Sequence, residues 1–206
     1  MKHVDNNRQV DAVYADFSKA FDRVPHQLIL KKITAYGVRG SVLSCFESYI
    51  SKGPISKIKL LTPLTSTTRY MNSGVPPGSH LGTILFKIFV NDLPHLNKHS
   101  AFSLLADDLQ LWKVINTSED VSLLQSELNA FMDWCRINCM EINIKKCNHI
   151  KFSRKLFPNP LVYSINSMRL EKIEIVKDLG VLMDSKMTFV PHIDGVRIML
   201  VTSCCG

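Results

Sequence analysis

Residues Ala101 to Trp112 (AFSLLADDLQLW) form a largely apolar run broken at its centre by Asp107 and Asp108. Adjacent aspartates are good turn residues, so the run predicts a strand–turn–strand hairpin with both acids at its tip. Gln9 to Ala15 alternates, is rich in Val and Tyr, and predicts a strand that ends at Asp16. If these strands are neighbours, three carboxylates meet at one edge of a sheet. Successive strand residues point to opposite faces, so Asp107 and Asp108 cannot both face Asp16. The reading prefers Asp107 as the partner of Asp16, with Asp108 less direct. On the residues alone, turn chemistry already accounts for the Asp-Asp pair.

The rest of the chain alternates irregularly between helix and strand. Helices are expected over His26–Tyr36, stopped by Gly37, and over Gly40–Ile50, closed by a Ser-Lys-Gly-Pro turn. Strands are expected over Ile55–Leu61 and Thr65–Met71. The segment SGVPPG (73–78) packs two glycines and two prolines into one loop, after which Ser79 can cap a helix to about Leu93. Ser118 to Cys139 carries Val121, Leu124, Leu128, Phe131 and Cys135 at helical spacing, with Glu119 and Asp120 suiting its start. Short strands follow between Glu141 and Met183, and another helix starts at Phe189. Strands and helices mixed without a regular alternation point to an antiparallel α+β fold.

Charge and cysteine use narrow the classes of function. The surplus of seven positive charges lies in residues 1–103, while the remainder is balanced. That favours a polyanionic partner such as nucleic acid. No apolar stretch reaches the roughly 18 residues of a membrane span, and the start is too polar for a secretory leader. Cysteines 45, 135, 139, 147, 204 and 205 make no disulfide framework and read as reduced intracellular thiols, in nucleus or cytoplasm. Cys135, Cys139, Cys147 and His149 fit no zinc spacing, and buried thiols are the expectation. His26, His80, His95 and His192 are assigned no catalytic role.

Five segments occur in order: YADFSKAFDRVPH (14–26), NSGVPPGSHLGTILFKIFVNDLP (72–94), LLADDLQLW (104–112), INIKKCNHIKFSR (142–154) and VKDLGVLMDSKMTF (176–189). Together they resemble the reverse transcriptase domain of non-LTR (LINE-type) retrotransposons, from about residue 9 to 192. The resemblance implies a polymerase palm-like antiparallel sheet packed on helices, with a partial thumb or connection at the C-terminus. It implies a palm over residues 1–155, with residual fingers elements, and a primer-grip hairpin with the start of a thumb over 156–206. The expectation is that most of the fingers and the thumb are missing from a truncated chain.

The resemblance also assigns roles. Asp16 and Asp107 would hold two magnesium ions, with manganese as the substitute, and Asp16, Asp107 and Asp108 would form the catalytic set, Asp108 supporting the primer end. Phe21 would lie under the nucleotide sugar and exclude a 2′-hydroxyl. Gly74, Pro77 and Gly78 would line the nucleotide pocket, and Lys146 would meet the nucleotide phosphates. Leu179 and Gly180 would approach the primer backbone. Two positions depart from the pattern. Pro77 stands where the family has glutamine and lacks both its amide and a backbone donor. Leu105 replaces an aromatic residue. The implied partners are an RNA template, a DNA primer and deoxynucleoside triphosphates, with no membrane and no identified protein partner. The implied activity is RNA-directed DNA synthesis. A nucleic-acid-binding remnant without catalysis, or a translated relic, is the alternative that the basic first half and Pro77 leave open.

Overall fold

In a computed structural model of the chain, β1 (Gln9–Asp16) lies at the middle of a five-stranded sheet of order β2-β3-β1-β4-β7. The structure describes residues 2–6, 8–51, 72–76, 78–96, 98–105, 108–154 and 162–204. The strands expected at 55–61 and 65–71 lie outside these residues, as do Pro77 and Asp107. The elements in chain order are α1 (Lys2–Asp5), β1, α2 (Ala20–Arg23), α3 (His26–Ala35), α4 (Gly40–Ser51), α5 (His80–Val90), β2 (Ala101–Leu105), β3 (Asp108–Ile115) and α6 (Ser118–Ile137). They continue with β4 (Asn148–Phe152), β5 (Ser164–Ile165), β6 (Met168–Arg169), β7 (Glu171–Ile173), β8 (Ile175–Asp178), β9 (Val181–Asp184) and α7 (Val190–Cys204). The chain divides into two units. One comprises Met1–Asp16, Leu96–Met132 and Asn143–Gly206, and the other Phe17–His95 and Asp133–Ile142.

The first unit holds the sheet. β1 pairs antiparallel with β3 and with β4, and β2 with β3, whereas β7 joins β4 in parallel. The expected hairpin is therefore present, and its strand borders the one that ends at Asp16. Val10, Ala12 and Tyr14 share one face of β1 by alternation. There Ala12 packs in a core with Val4, Ile150, Phe152 and Val176, with Ile173, Met183 and Met187 against it. Val176 and Met183 come from the β8–β9 hairpin, so burial of about 1.5–3 kcal/mol per large apolar side chain holds the base of that hairpin under the sheet. The opposite face carries Asp11, Val13, His149 and Lys151, all buried.

α6 starts at Ser118 as expected and ends at Ile137, two residues before the expected Cys139. Asp120 accepts from the backbone N–H of Asn116 and Thr117, and the Asp120 N–H donates to Thr117 Oγ1. This is a reciprocal cap built on Thr117.

The second unit packs α3, α4 and α5 around Ile29, Ile33, Ile50, Leu85, Phe86 and Phe89. Ser79 caps α5 as expected, its Oγ accepting from the Gly82 N–H at 2.9 Å. Gly82 admits no side chain, because a Cβ would lie 2.1 Å from the Pro76 carbonyl oxygen. The glycine–proline loop thus presses directly on the first turn of the helix. Among the described residues no helix is long and apolar enough to cross a membrane.

Candidate functional site

The antiparallel ladder ends with Asp16 directly opposite Asp108. Directly opposed residues point to the same face with Cβ atoms about 5 Å apart. Two carboxylates there repel unless positive charge lies between or beside them. Lys146 supplies it: its Nζ is 2.9 Å from Asp16 Oδ2, and the lysine side chain is 66% exposed against 16% for the aspartate. Lys146 reaches this point from a short 3-10 turn (Ile144–Lys146) tied to the end of β1 by the Asn143 N–H, which donates to the Asp16 carbonyl at 2.8 Å. Asp108 is exposed. The sequence reading prefers Asp107 as the partner of Asp16, whereas the ladder puts Asp108 opposite it. Asp107 lies outside the described residues.

These groups open on a cleft of about 460 Å³. Asp16, Asp108 and Lys146 line one part of it, and Lys177, Asp178 and Leu179 of the β8–β9 hairpin line another. Tyr14 and Gln110, cross-strand partners, form its floor. Gln110 Nε2 donates to Asp178 Oδ1 at 2.8 Å. Burial and then the Asp178 charge push the Tyr14 phenol well above its ordinary range, so it stays protonated. Burial likewise raises the thiol of Cys147, which donates to the Asn143 carbonyl. Leu179 and Gly180 form the hairpin tip, both at positive φ (48° and 88°), and Leu179 is 74% exposed.

Hard oxygen donors on adjacent strand ends suit a small divalent cation. The donor set passes that test: Asp16 and Asp108 share a face, and the Asp16 carboxylate already draws an ammonium group. Among the described residues no three acidic, histidine or cysteine side chains converge as a complete ligand set.

The remaining expected site residues lie in the second unit. The Phe21 ring, half-buried, stacks on Phe86 at 4.7 Å. Its carbonyl accepts from the Val75 N–H at 2.7 Å, and the Val24 carbonyl accepts from the Gly74 N–H at 2.8 Å. Gly74 has φ 101°, and a Cβ would lie 3.1 Å from the Asp22 carbonyl oxygen, so glycine is required there. His26, buried, donates from Nε2 to the Gly74 carbonyl at 2.8 Å. Phe21 and Gly74 are thus brought together by backbone bonds, whereas Gly78 (φ 75°) stands in open space before α5. The geometry adds Tyr14, Gln110, Asp178 and His26 to the expected residues. Alternation from Asp16 and Asp108 is enough to find Tyr14 and Gln110. The other two need tertiary contacts.

Known proteins resemble this chain in sequence and in fold. The family described as "Reverse transcriptase (RNA-dependent DNA polymerase)" matches residues 2–181. The "Probable RNA-directed DNA polymerase from transposon BS" of Drosophila melanogaster is 28% identical over 93% of this chain. The "RNA-directed DNA polymerase from mobile element jockey" of Drosophila funebris is 27% identical over 96%. The chain spans 22% of the length of each of these relatives. An apo telomerase structure from Candida tropicalis superposes with a TM-score of 0.54 at 10% identity, over 88% of this chain and 35% of that one. A Candida albicans telomerase, solved with a fragment of telomeric RNA, superposes at 0.51 and 12% identity, over 88% and 31%. These likenesses show a shared fold, and it is the palm-like fold that the five segments imply.

Proposed function

The chain belongs to the reverse transcriptase (RNA-dependent DNA polymerase) family, and on that footing we propose that it is the palm of an RNA-directed DNA polymerase of a non-LTR retrotransposon. The single observation that carries the proposal is Asp16 opposite Asp108 on one sheet face, with the Lys146 ammonium 2.9 Å from Asp16. The reaction joins a primer 3′-oxygen to the α-phosphorus of a deoxynucleoside triphosphate. The bond between that phosphorus and the bridging oxygen breaks, the hydroxyl proton is lost, and pyrophosphate leaves. Little covalent chemistry falls to the protein, so its task is positioning and charge.

Each residue then has a stated task. Asp16, with Asp108 opposite it and Asp107 beside Asp108 in the sequence, would hold divalent cation, magnesium or manganese, and Asp108 would also support the primer end. Bound there, two such ions would offset charge on the attacking and leaving oxygens. The Lys146 side chain is 66% exposed, so its ammonium can turn from Asp16 to a triphosphate oxygen. Phe21 bounds the sugar, where a rigid ring rejects an added 2′-oxygen by overlap. Gly74, Pro77 and Gly78 line the nucleotide side, with His26 holding the Gly74 carbonyl. Leu179 and Gly180 meet the primer backbone. Residues 1–155 make the palm and 156–206 the primer-grip hairpin and the start of a thumb. The partners are an RNA template, a DNA primer and deoxynucleotides inside the cell, in nucleus or cytoplasm.

Primer extension on an RNA template with magnesium and deoxynucleotides tests this, run beside Asp107→Asn. The expected result is extension by the wild type and none by the variant. Equal extension by both would overturn the assignment of the acids. Salt-sensitive template–primer binding by folded wild type with no incorporation would replace the proposal with a binding module.

A further inference from the structure

The base and the tip of the β8–β9 hairpin are held differently. At the base, Val176 and Met183 pack into the core beneath the sheet, and the Ser185 and Ser153 N–H groups donate to the Glu174 and Ser185 carbonyls. Four cross-strand pairs then run to Asp178↔Val181. The tip beyond them is Leu179-Gly180, a two-residue turn with both φ values positive. Such turns favour Asn-Gly or Gly-Gly, and a leucine in the left-handed region is strained. Leu179 is also 74% exposed. A strained, exposed apolar residue that lines the cleft points to use at a binding surface.

What fixes the direction of that tip is a polar bond back to the sheet. Asp178, the last residue of β8, accepts from Gln110 Nε2 at 2.8 Å. Gln110 stands two positions after Asp108 on β3, so it shares the face of Asp108. Its cross-strand partner is Tyr14, two positions before Asp16. The hairpin tip is therefore referenced, through one side chain, to the two strands that carry the opposed carboxylates.

We propose that Gln110 and Asp178 form a latch that aims Leu179-Gly180 at a fixed distance from the Asp16–Asp108 pair, making both positioning residues for a nucleic-acid primer strand. The inference rests on the polymerase reading above. Gln110 reaches the primer only through Asp178 and the tip, so its loss weakens primer placement and leaves the carboxylate pair in place.

The test uses the full chain and a fluorescent RNA–DNA template–primer. Gln110→Met keeps the bulk and removes the donor. Asp178→Ala removes the acceptor, and Asp178→Asn keeps an oxygen acceptor. Three readings are taken: template–primer Kd by anisotropy, KM and kcat for extension, and amide hydrogen exchange at Lys177–Val181. Gln110→Met and Asp178→Ala should each raise Kd and primer KM about tenfold, the range of one hydrogen bond to a charged group. Their kcat should move less. The double variant should match either single one, since the same bond is lost once. Asp178→Asn should stay within about twofold of wild type, since a neutral acceptor keeps most of one bond. Exchange should quicken at the tip and hold in β1 and β3. Unchanged Kd and tip exchange in Gln110→Met would overturn the latch, as would additive losses or an Asp178→Asn as impaired as Asp178→Ala. A wild type that binds template–primer and never extends it overturns the polymerase reading alone. The affinity and exchange data would then still decide for or against the latch.

Discussion

Strand β1 carries two aspartates five residues apart, on opposite faces of one sheet, and each is set near a lysine. Asp16 is partly exposed and pairs with a lysine that is mostly in solvent. Asp11 is fully buried, directly across the ladder from Lys151, itself buried. Asp11 is also pinned on both oxygens, by Gln9 Nε2 at 2.7 Å and by the Tyr163 hydroxyl at 2.8 Å. Desolvation still outweighs these partners and raises its carboxyl above the ordinary value. The same residue types thus do different work. Buried and saturated with hydrogen bonds, the acid fixes the register of β1 and the segment around Tyr163. At the strand end, beside a lysine that is mostly in solvent, it stays available to exchange partners.

The widest break between the two faces should come from activity. Asp108→Asn is expected to lower nucleotide incorporation by at least ~10³-fold, because cation-assisted charge stabilisation is worth several kcal/mol. Its urea midpoint should hardly move. Asp11→Leu should do the reverse. It strands the Tyr163 hydroxyl, the Gln9 amide and the Lys151 charge in the interior, costing about 3–5 kcal/mol. Adding Lys151→Met to Asp11→Leu should recover part of that loss, since an apolar pair avoids the buried charge. A urea melt that finds Asp11→Leu as stable as wild type would remove the contrast.

A pH titration sharpens the comparison on the sealed face. His149 is buried, packs edge-on against Tyr163 at 5.4 Å, and has no hydrogen-bond partner at Nδ1. Burial first, then the charges of Lys151, Lys172 and Arg169, lower its pKa from 6.5 to about 4. The unfolded chain takes up the proton near 6.5 and the folded protein near 4. Stability from this residue is therefore full above pH 6.5 and declines as pH falls toward 4, by at most about 3 kcal/mol. Wild type minus His149→Gln, followed by urea midpoints from pH 7.5 to 4.5, isolates it from Asp11. No pH dependence in that difference would mean His149 is protonated in place.

The smallest effect belongs to the hairpin tip. Leu179→Asn relieves a left-handed leucine and should raise stability by about 1 kcal/mol, with weaker template–primer binding as the accompanying loss. Thermal melts and anisotropy together check it.

Much of this architecture is legible in the sequence because it is local. The alternation of Gln9–Asp16, the apolar run around the two acids, and the Ser79 cap each follow from neighbouring residues. So does the adjacency of Tyr14 to the site, through a period of two. The parallel addition of β7 to β4 is not legible, because β7 is only three residues long and has little pattern of its own. Nor is the burial of Asp11, whose hydroxyl partner is 152 residues away, or the bond from Gln110 to Asp178, 68 residues away. An aspartate in a strand reads the same from sequence whether it faces a cleft or a core. Its partners decide.

The measurement that tests this most directly is Asp16→Asn against Asp11→Asn, each assayed for primer extension on RNA and for its urea midpoint. The predicted result is a crossed pattern: Asp16→Asn keeps its midpoint and loses extension, and Asp11→Asn loses stability yet extends primers where it is folded. Extension by Asp16→Asn at the wild-type rate would contradict the account.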